Sequence, residues 1–371
     1  MKIGLIIYGS LDTLSGGYMY DRKLVEYLRA QGDSVDIISL PWRNYAAHLA
    51  DNFSFRIPGN LDILIQDELN HPSLIIANRR KHPYPVVSLV HHLRSSEVRP
   101  KWQNDLYRVL EKKYLQSVDG FIFNSQTTRE VVNSLIRNSM PEVVAYPPTD
   151  RFGDAILEEE IKARATQDPL RILFLGNIIE RKGLHILLEA IRPLILRHGE
   201  RKTNRQGITF DLRLDVVGSL SSEPNYAKQM QDFIVKNHLS SLREPQGSAF
   251  VFLHNSLDNE PLKQMLKQAH VLIVPSSYEG FGIVYLEGMA FGLPAIGTTA
   301  GAASETIEHE KTGFLIEPND SAALATHISS LASNRELLTQ LSLNARRRYI
   351  QQPSWNETAS QIRAFLQSMI G

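Results

Sequence analysis

The sequence predicts an α/β protein built as two parallel-sheet halves. Short apolar runs of strand length alternate with amphipathic, helix-length segments along most of the chain. The alternation breaks once, near the middle, and then restarts. The 371 residues also suffice for two domains at roughly 150 residues each.

Residues 3–8 form the first apolar run, which ends at Gly9-Ser10. It is too short for the apolar core of a signal peptide and has no small-residue cleavage site, so it reads as a strand. Residues 18–31 read as a helix, with Leu24, Tyr27 and Leu28 at helical spacing. Residues 35–39, 62–65, 86–90 and 120–123 are further short buried strands. The break spans residues 145–168, where Pro147-Pro148 signals a turn and Glu158-Glu159-Glu160 a solvated stretch. Beyond it, residues 171–175 are a strand and 183–196 a helix. Residues 212–217, 251–253, 271–274, 295–298 and 313–316 are strands. Residues 198–207 are polar and read as a surface insertion. Residues 355–370 form an amphipathic segment with Ile362, Phe365, Leu366 and Met369 on one face, suited to packing. The expected division is a first domain over 1–165, a second over 166–350, and a terminal helix over 351–371 that packs back on the first.

Composition narrows the chemistry. Forty Lys and Arg balance forty Asp and Glu, so no global charge draws the chain to nucleic acid or an anionic membrane. Phosphate chemistry must come from a local site. The absence of cysteine rules out disulfides, Cys-ligated zinc and a Cys nucleophile, and fits a cytoplasmic protein. No stretch approaches the roughly 20 apolar residues of a membrane span.

The strongest chemical signal is Tyr278-Glu279-Gly280-Phe281-Gly282-Ile283-Val284-Tyr285-Leu286-Glu287. It follows a strand and the turn residues Pro275-Ser276-Ser277, and its glycines open a helix. Unpaired N–H groups at a helix start favour an anion such as phosphate, and glycine lets a ligand approach the backbone. Glu279, before the helix, and Glu287, within it, both suit sugar hydroxyls. The plainer reading, a capped helix with two surface glutamates, loses weight in this context.

A second signal is Gly176-Asn177-Ile178-Ile179-Glu180-Arg181-Lys182-Gly183, which follows the strand that opens the second half. Arg181 and Lys182 could neutralise a diphosphate there, at the carboxyl end of a strand where open α/β sheets bind ligands. Gly16-Gly17, after the first strand, is either a flexible turn or a backbone loop near donor phosphates. It is not the dinucleotide fingerprint, because no G-x-G-x-x-G follows that strand. His91-His92 ends the Pro85–Val90 run, and an imidazole there could reach a cleft. Gly301, in the loop 298–305, either lines the cleft or precedes a Ser-capped helix. No Asp-x-Asp, no P-loop and no H-E-x-x-H occurs, so no metal clamp on a diphosphate is visible.

Together these segments resemble the retaining glycosyltransferases of family 4 (glycosyl transferases group 1), which have the GT-B fold. The likeness is best from Arg171 to about Asp320. Gly292-Leu293-Pro294 and Thr312-Gly313-Phe314-Leu315 also fall in family order there. The N-terminal half matches more loosely, through Gly16-Gly17 and His91. The resemblance implies two Rossmann-like domains with parallel sheets facing a central cleft, the donor on the C-terminal one and the acceptor on the N-terminal one. It gives Glu279 the hydroxyls of the donor sugar, Glu287 the nucleotide ribose, and Lys182 with Arg181 the diphosphate. Backbone around Gly280, Phe281, Gly282 and Ile283, with Gly16 and Gly17, would support donor phosphate or sugar. His91, rather than His92, would sit near the reacting sugar. Catalytic candidates are thus His91, Arg181, Lys182 and Glu279. Two departures stand out: Asn177 where many members carry Arg, and Gly301-Ala302 where they carry two glycines.

The expected reaction is transfer from a UDP- or GDP-sugar to a hydroxyl of a glycan, lipid or small molecule, as in polysaccharide or glycolipid biosynthesis. No metal, cofactor or nucleic-acid partner is expected. A nucleotide-sugar 2-epimerase, a phosphorylase and a non-catalytic sugar-nucleotide-binding subunit are alternatives on the same scaffold. Arg99-Pro100-Lys101-Trp102, with Arg108, Lys112 and Lys113, is open between a solvated helix face and a peripheral contact with the inner membrane face.

Overall fold

The computed structural model describes residues 1–13, 15–137, 139–148, 150–153, 156–195, 211–239 and 250–371. The insertion expected at 198–207 lies outside the described residues. The chain divides into two compact units, Met1–Pro148 with Pro353–Gly371, and Thr149–Gln352.

The first unit holds a parallel sheet of β1 (Lys2–Tyr8), β2 (Ser34–Leu40), β3 (Ile63–Asp67), β4 (Val86–Val90), β5 (Gly120–Phe123) and β6 (Glu142–Val144), in the order β2-β1-β3-β4-β5-β6. Strand β1 shows why these runs are continuously apolar. Ile3, Leu5 and Ile7 enter one core while Ile6 and Tyr8 enter the other, so both faces of the sheet are covered. The edge strand β6 was not expected from sequence. It has three half-buried residues, too few to show a pattern. The helix Trp355–Ile370 belongs to this unit. Ala359, Ile362 and Leu366 join the core of Ile3 and Leu5, and Phe365 and Met369 pack beside them. Arg363 Nε donates to Asp33 Oδ2 at 2.7 Å, and Ser354 with Glu357 forms a capping box at the helix start.

The second unit holds β7 (Leu170–Leu175), β8 (Leu212–Val217), β9 (Val251–His254), β10 (Val271–Ile273), β11 (Ala295–Thr298) and β12 (Gly313–Ile316), all parallel, in the order β12-β11-β10-β7-β8-β9. The chain winds outward from β7 through β8 to β9, then returns to the other side of β7 with β10. Loops leaving β7 and β10 therefore flank the switch point, where doubly wound sheets bind ligands.

The units divide at Pro148 and not at residue 165. Glu158, Glu159 and Glu160 are the first turn of a helix, Glu158–Ala165, where the helix dipole favours acids. Buried Arg164 of that helix donates to Lys267 O and Gly292 O, which ties it to the second unit. No helix among the described residues is long and apolar enough to cross a membrane.

Candidate functional site

The switch point of the second unit brings the Arg181-Lys182 loop against the Glu279 loop. After β7 the chain forms a tight turn, Glu180–Lys182, that ends at Gly183. Gly183 has φ +72°, and a Cβ there would lie 2.2 Å from Pro275 O, so only glycine lets the two loops close. Lys182 Nζ reaches Glu279 Oε1 at 2.5 Å, and Ser276 Oγ donates to the same oxygen at 2.5 Å. Arg181 Nη1 donates to Tyr278 O at 2.7 Å and stands 3.9 Å from Glu279 Oε2.

Glu279 is buried, and burial alone would raise its pKa. The charges of Lys182 and Arg181, with the bonds from Lys182 and Ser276, override that and hold it down to about 2. The two cations and one carboxylate leave the cluster one positive charge in excess.

Gly282 precedes the helix Ile283–Ala290, and no described side chain caps its start. Phe281 is buried, so the Gly280–Ile283 turn presents backbone more than side chain. Gly301 forms an isolated bridge to Glu279, with Ala302 N donating to Glu279 O at 2.8 Å. With φ +79° and a Cβ position 2.1 Å from Glu279 O, Gly301 clamps the loop that carries the glutamate. The following turn, Ala302–Glu305, is a short 3-10 turn that starts at Gly301 without a Ser cap.

Glu287 lies within the Ile283–Ala290 helix and is 5% exposed. Its partner is Arg151, whose Nη1 donates to Glu287 Oε1 at 2.9 Å while Nε and Nη2 both reach Asn259 Oδ1. Sequence reasoning missed Arg151. It lies 136 positions from its partner, in a three-residue turn with no motif around it.

The remaining candidates lie in the first unit. Ser15 caps the helix Gly16–Ala30 by accepting from Tyr18 N, which places Gly16 and Gly17 in its first turn. A Cβ at Gly17 would come within 3.3 Å of the His91 ring, so this glycine makes room for the imidazole. His91 Nε2 pairs with Asp21 Oδ1 at 3.1 Å, whereas His92 Nε2 pairs with Glu97 at 3.0 Å. Burial lowers the His91 pKa, but Asp21, then Asp67 and Glu68, more than reverse it and raise it to about 9. Asp21, Asp67 and His91 each bring a ligand atom within 4.8 Å of the others, as do Glu68, His71 and Glu111. These are the two groups among the described residues able to hold a cation; both belong to the first unit, whereas the Lys182 cluster belongs to the second.

Two doubly wound parallel sheets, one with paired cations and a carboxylate at its switch point, define a protein of two Rossmann-like domains. This chain belongs to the glycosyl transferases group 1 family, whose model matches residues 157–348, just over half of the 371. Among its relatives, an uncharacterized glycosyltransferase of Methanocaldococcus jannaschii is 26% identical over 75% of this chain and 67% of its own. The capsular polysaccharide biosynthesis glycosyltransferase CapM of Staphylococcus aureus is 26% identical over 57% of this chain and 51% of its own. The chain spans about half the length of several of the curated relatives that it matches. The fold is GT-B. Sucrose-phosphate synthase from Thermosynechococcus elongatus superposes with a TM-score of 0.78 at 19% identity, covering 99% of this chain and 98% of that one. Anabaena HepE, in complex with UDP and glucose, gives 0.71 at 18% identity, covering 99% and 100%.

Proposed function

We propose that this protein transfers a sugar from a nucleoside-diphosphate donor to an acceptor hydroxyl, with retention of anomeric configuration and without a resident metal. The observation that carries the reading is the Arg181–Lys182–Glu279 cluster at the switch point of a nucleotide-type sheet. The complex of HepE with UDP-glucose, on the same fold, supports a UDP-sugar as the donor.

The C–O bond between the anomeric carbon and the diphosphate breaks as the acceptor oxygen bonds to that carbon. Positive charge grows on the sugar and negative charge on the leaving diphosphate, which receives the acceptor's proton. Lys182 and Arg181 exchange Glu279 for the diphosphate, and the amides that open the helix at Gly282 add fixed donors. These groups are in place before charge develops, so they lower the barrier without reorganisation. Released from Lys182, Glu279 accepts from sugar hydroxyls. Glu287 accepts from the ribose, and His91 is the residue to which the family resemblance gives a role at the reacting sugar. Attack on the face that the diphosphate leaves needs no covalent intermediate, so Glu279 orients and stabilises charge and is not a nucleophile.

Thermal melts with UDP, GDP, ADP and their sugars test the reading. A ligand at 100 times its Kd adds about 2.7 kcal/mol to stability. In a unit of about 200 residues that is a rise of roughly 5–10 °C. No rise with any of these nucleotides, or a C2-epimerised donor formed without acceptor, would refute the proposal.

A further inference from the structure

The helix Lys101–Leu115 buries Glu111, Tyr114 and Leu115. Its inner face is firmly held: Tyr114 Oη donates to Ser88 Oγ at 3.0 Å, and Ser95 N donates to Glu111 Oε1 at 3.0 Å. At about 100° per residue, Trp102, Leu106, Val109 and Lys113 fall within about 60° of one another, on the side opposite Glu111. The apolar members of that stripe are exposed: Trp102 by 67%, Leu106 by 47% and Val109 by 52%. Val98, just before the helix, is 74% exposed. A stripe of large apolar side chains aimed directly away from the core is not explained by folding.

Charge says what covers it. Lys101, Arg108 and Lys112 lie along one flank of the stripe and Lys113 continues it, all exposed. Asp105 is the one exposed acid of the helix, and Lys101 pairs with it at 3.2 Å. The whole chain is neutral, so this is a local excess of cations around an apolar strip. A helix whose Trp and Leu face outward between basic residues fits the interface of an anionic bilayer: the apolar stripe enters the acyl boundary and the flanking cations meet lipid phosphates. We propose that the outward face of the helix Lys101–Leu115 seats this protein on an anionic lipid surface. This surface is independent of the donor site.

Flotation of the full chain with lipid vesicles tests it, comparing phosphatidylcholine alone with a seven-to-three mixture with phosphatidylglycerol. The wild type should float with the mixed vesicles and not with pure phosphatidylcholine. Trp102→Ser with Leu106→Ser should weaken binding by about tenfold or more, since two large apolar groups no longer leave water. Arg108→Glu with Lys112→Glu should abolish it, and raising salt should weaken the wild type. Melting temperature and the nucleotide-induced shift should stay at wild-type values in both variants, which separates this surface from the donor reading. Absence of wild-type flotation, or equal flotation of both variants, overturns the proposal. So does a dimer in light scattering that Trp102→Ser with Leu106→Ser dissociates, because the stripe then serves a second copy of the chain.

Discussion

Replacing Arg151 by Met strips the buried Glu287 carboxylate of its cation. Removing one member of a buried ion pair costs about 3–5 kcal/mol. Glu287 is 5% exposed, but the Arg151 side chain is 31% exposed, so water already screens part of the contact. The expected loss falls to about 2 kcal/mol. In a unit of about 200 residues, each kcal/mol moves Tm by roughly 2–4 °C, so R151M should melt about 4–8 °C lower. The pH dependence has a definite sign. Burial pushes the Glu287 pKa up, and Arg151 pulls it back. Without Arg151 the folded-state pKa climbs further above the unfolded value. A carboxyl raised in this way favours the folded state while it is protonated, and that stability is lost as pH rises through the folded pKa. The deficit of R151M should therefore shrink between pH 8 and pH 5. Adding Glu287→Gln to R151M should recover most of it, because an amide leaves no buried charge. Melting curves of wild type, R151M, E287Q and the double variant at both pH values decide the matter. Wild-type melting of R151M at pH 8, or a double variant no more stable than R151M, would refute the reasoning.

Lys182→Ala should lower kcat by about 10²–10³, the range seen when one charge-stabilising donor is removed, with circular dichroism unchanged; near wild-type turnover would remove Lys182 from the mechanism. His91→Ala should impair transfer while calorimetry shows nearly unchanged nucleotide affinity; lost affinity would move His91 to the donor pocket. The raised His91 pKa contributes stability that is complete below about 6.5 and lost as pH rises through about 9. Asp21→Asn should shift that loss to lower pH in a melting series from pH 6 to 10, and an identical profile would argue against the pair. Gly301→Ala forces a Cβ onto Glu279 O and a left-handed φ onto alanine, so it should cost more than about 3 kcal/mol and weaken donor binding, read by denaturation and calorimetry; wild-type values would show that the clamp is unnecessary.

Local regularity was legible in the chain. Strands such as β4, β5, β11 and β12 coincide with their apolar runs, because a strand covered on both faces must be apolar at successive positions. The glycine loops after β7 and β10 were visible because tight turns and close backbone approach restrict which residues fit. Elements without such a constraint were not visible. β6 is too short to carry a period, and the acidic run at 158–160 reads equally well as solvated coil or helix start.

By itself, the sequence determined the alternation of strands and helices, the two-sheet class and the loop chemistry of glycine, cation and carboxylate, since these depend on residues within a turn or two of one another. Only the tertiary structure decided the strand order that puts the β7 and β10 loops side by side. It alone decided the Lys182–Glu279 contact across 97 positions, the Arg151–Glu287 pair across 136 and the Asp21–His91 pair across 70. Each of those pairings is selected by the fold, which brings distant backbone together and sets a buried charge against its counter-charge.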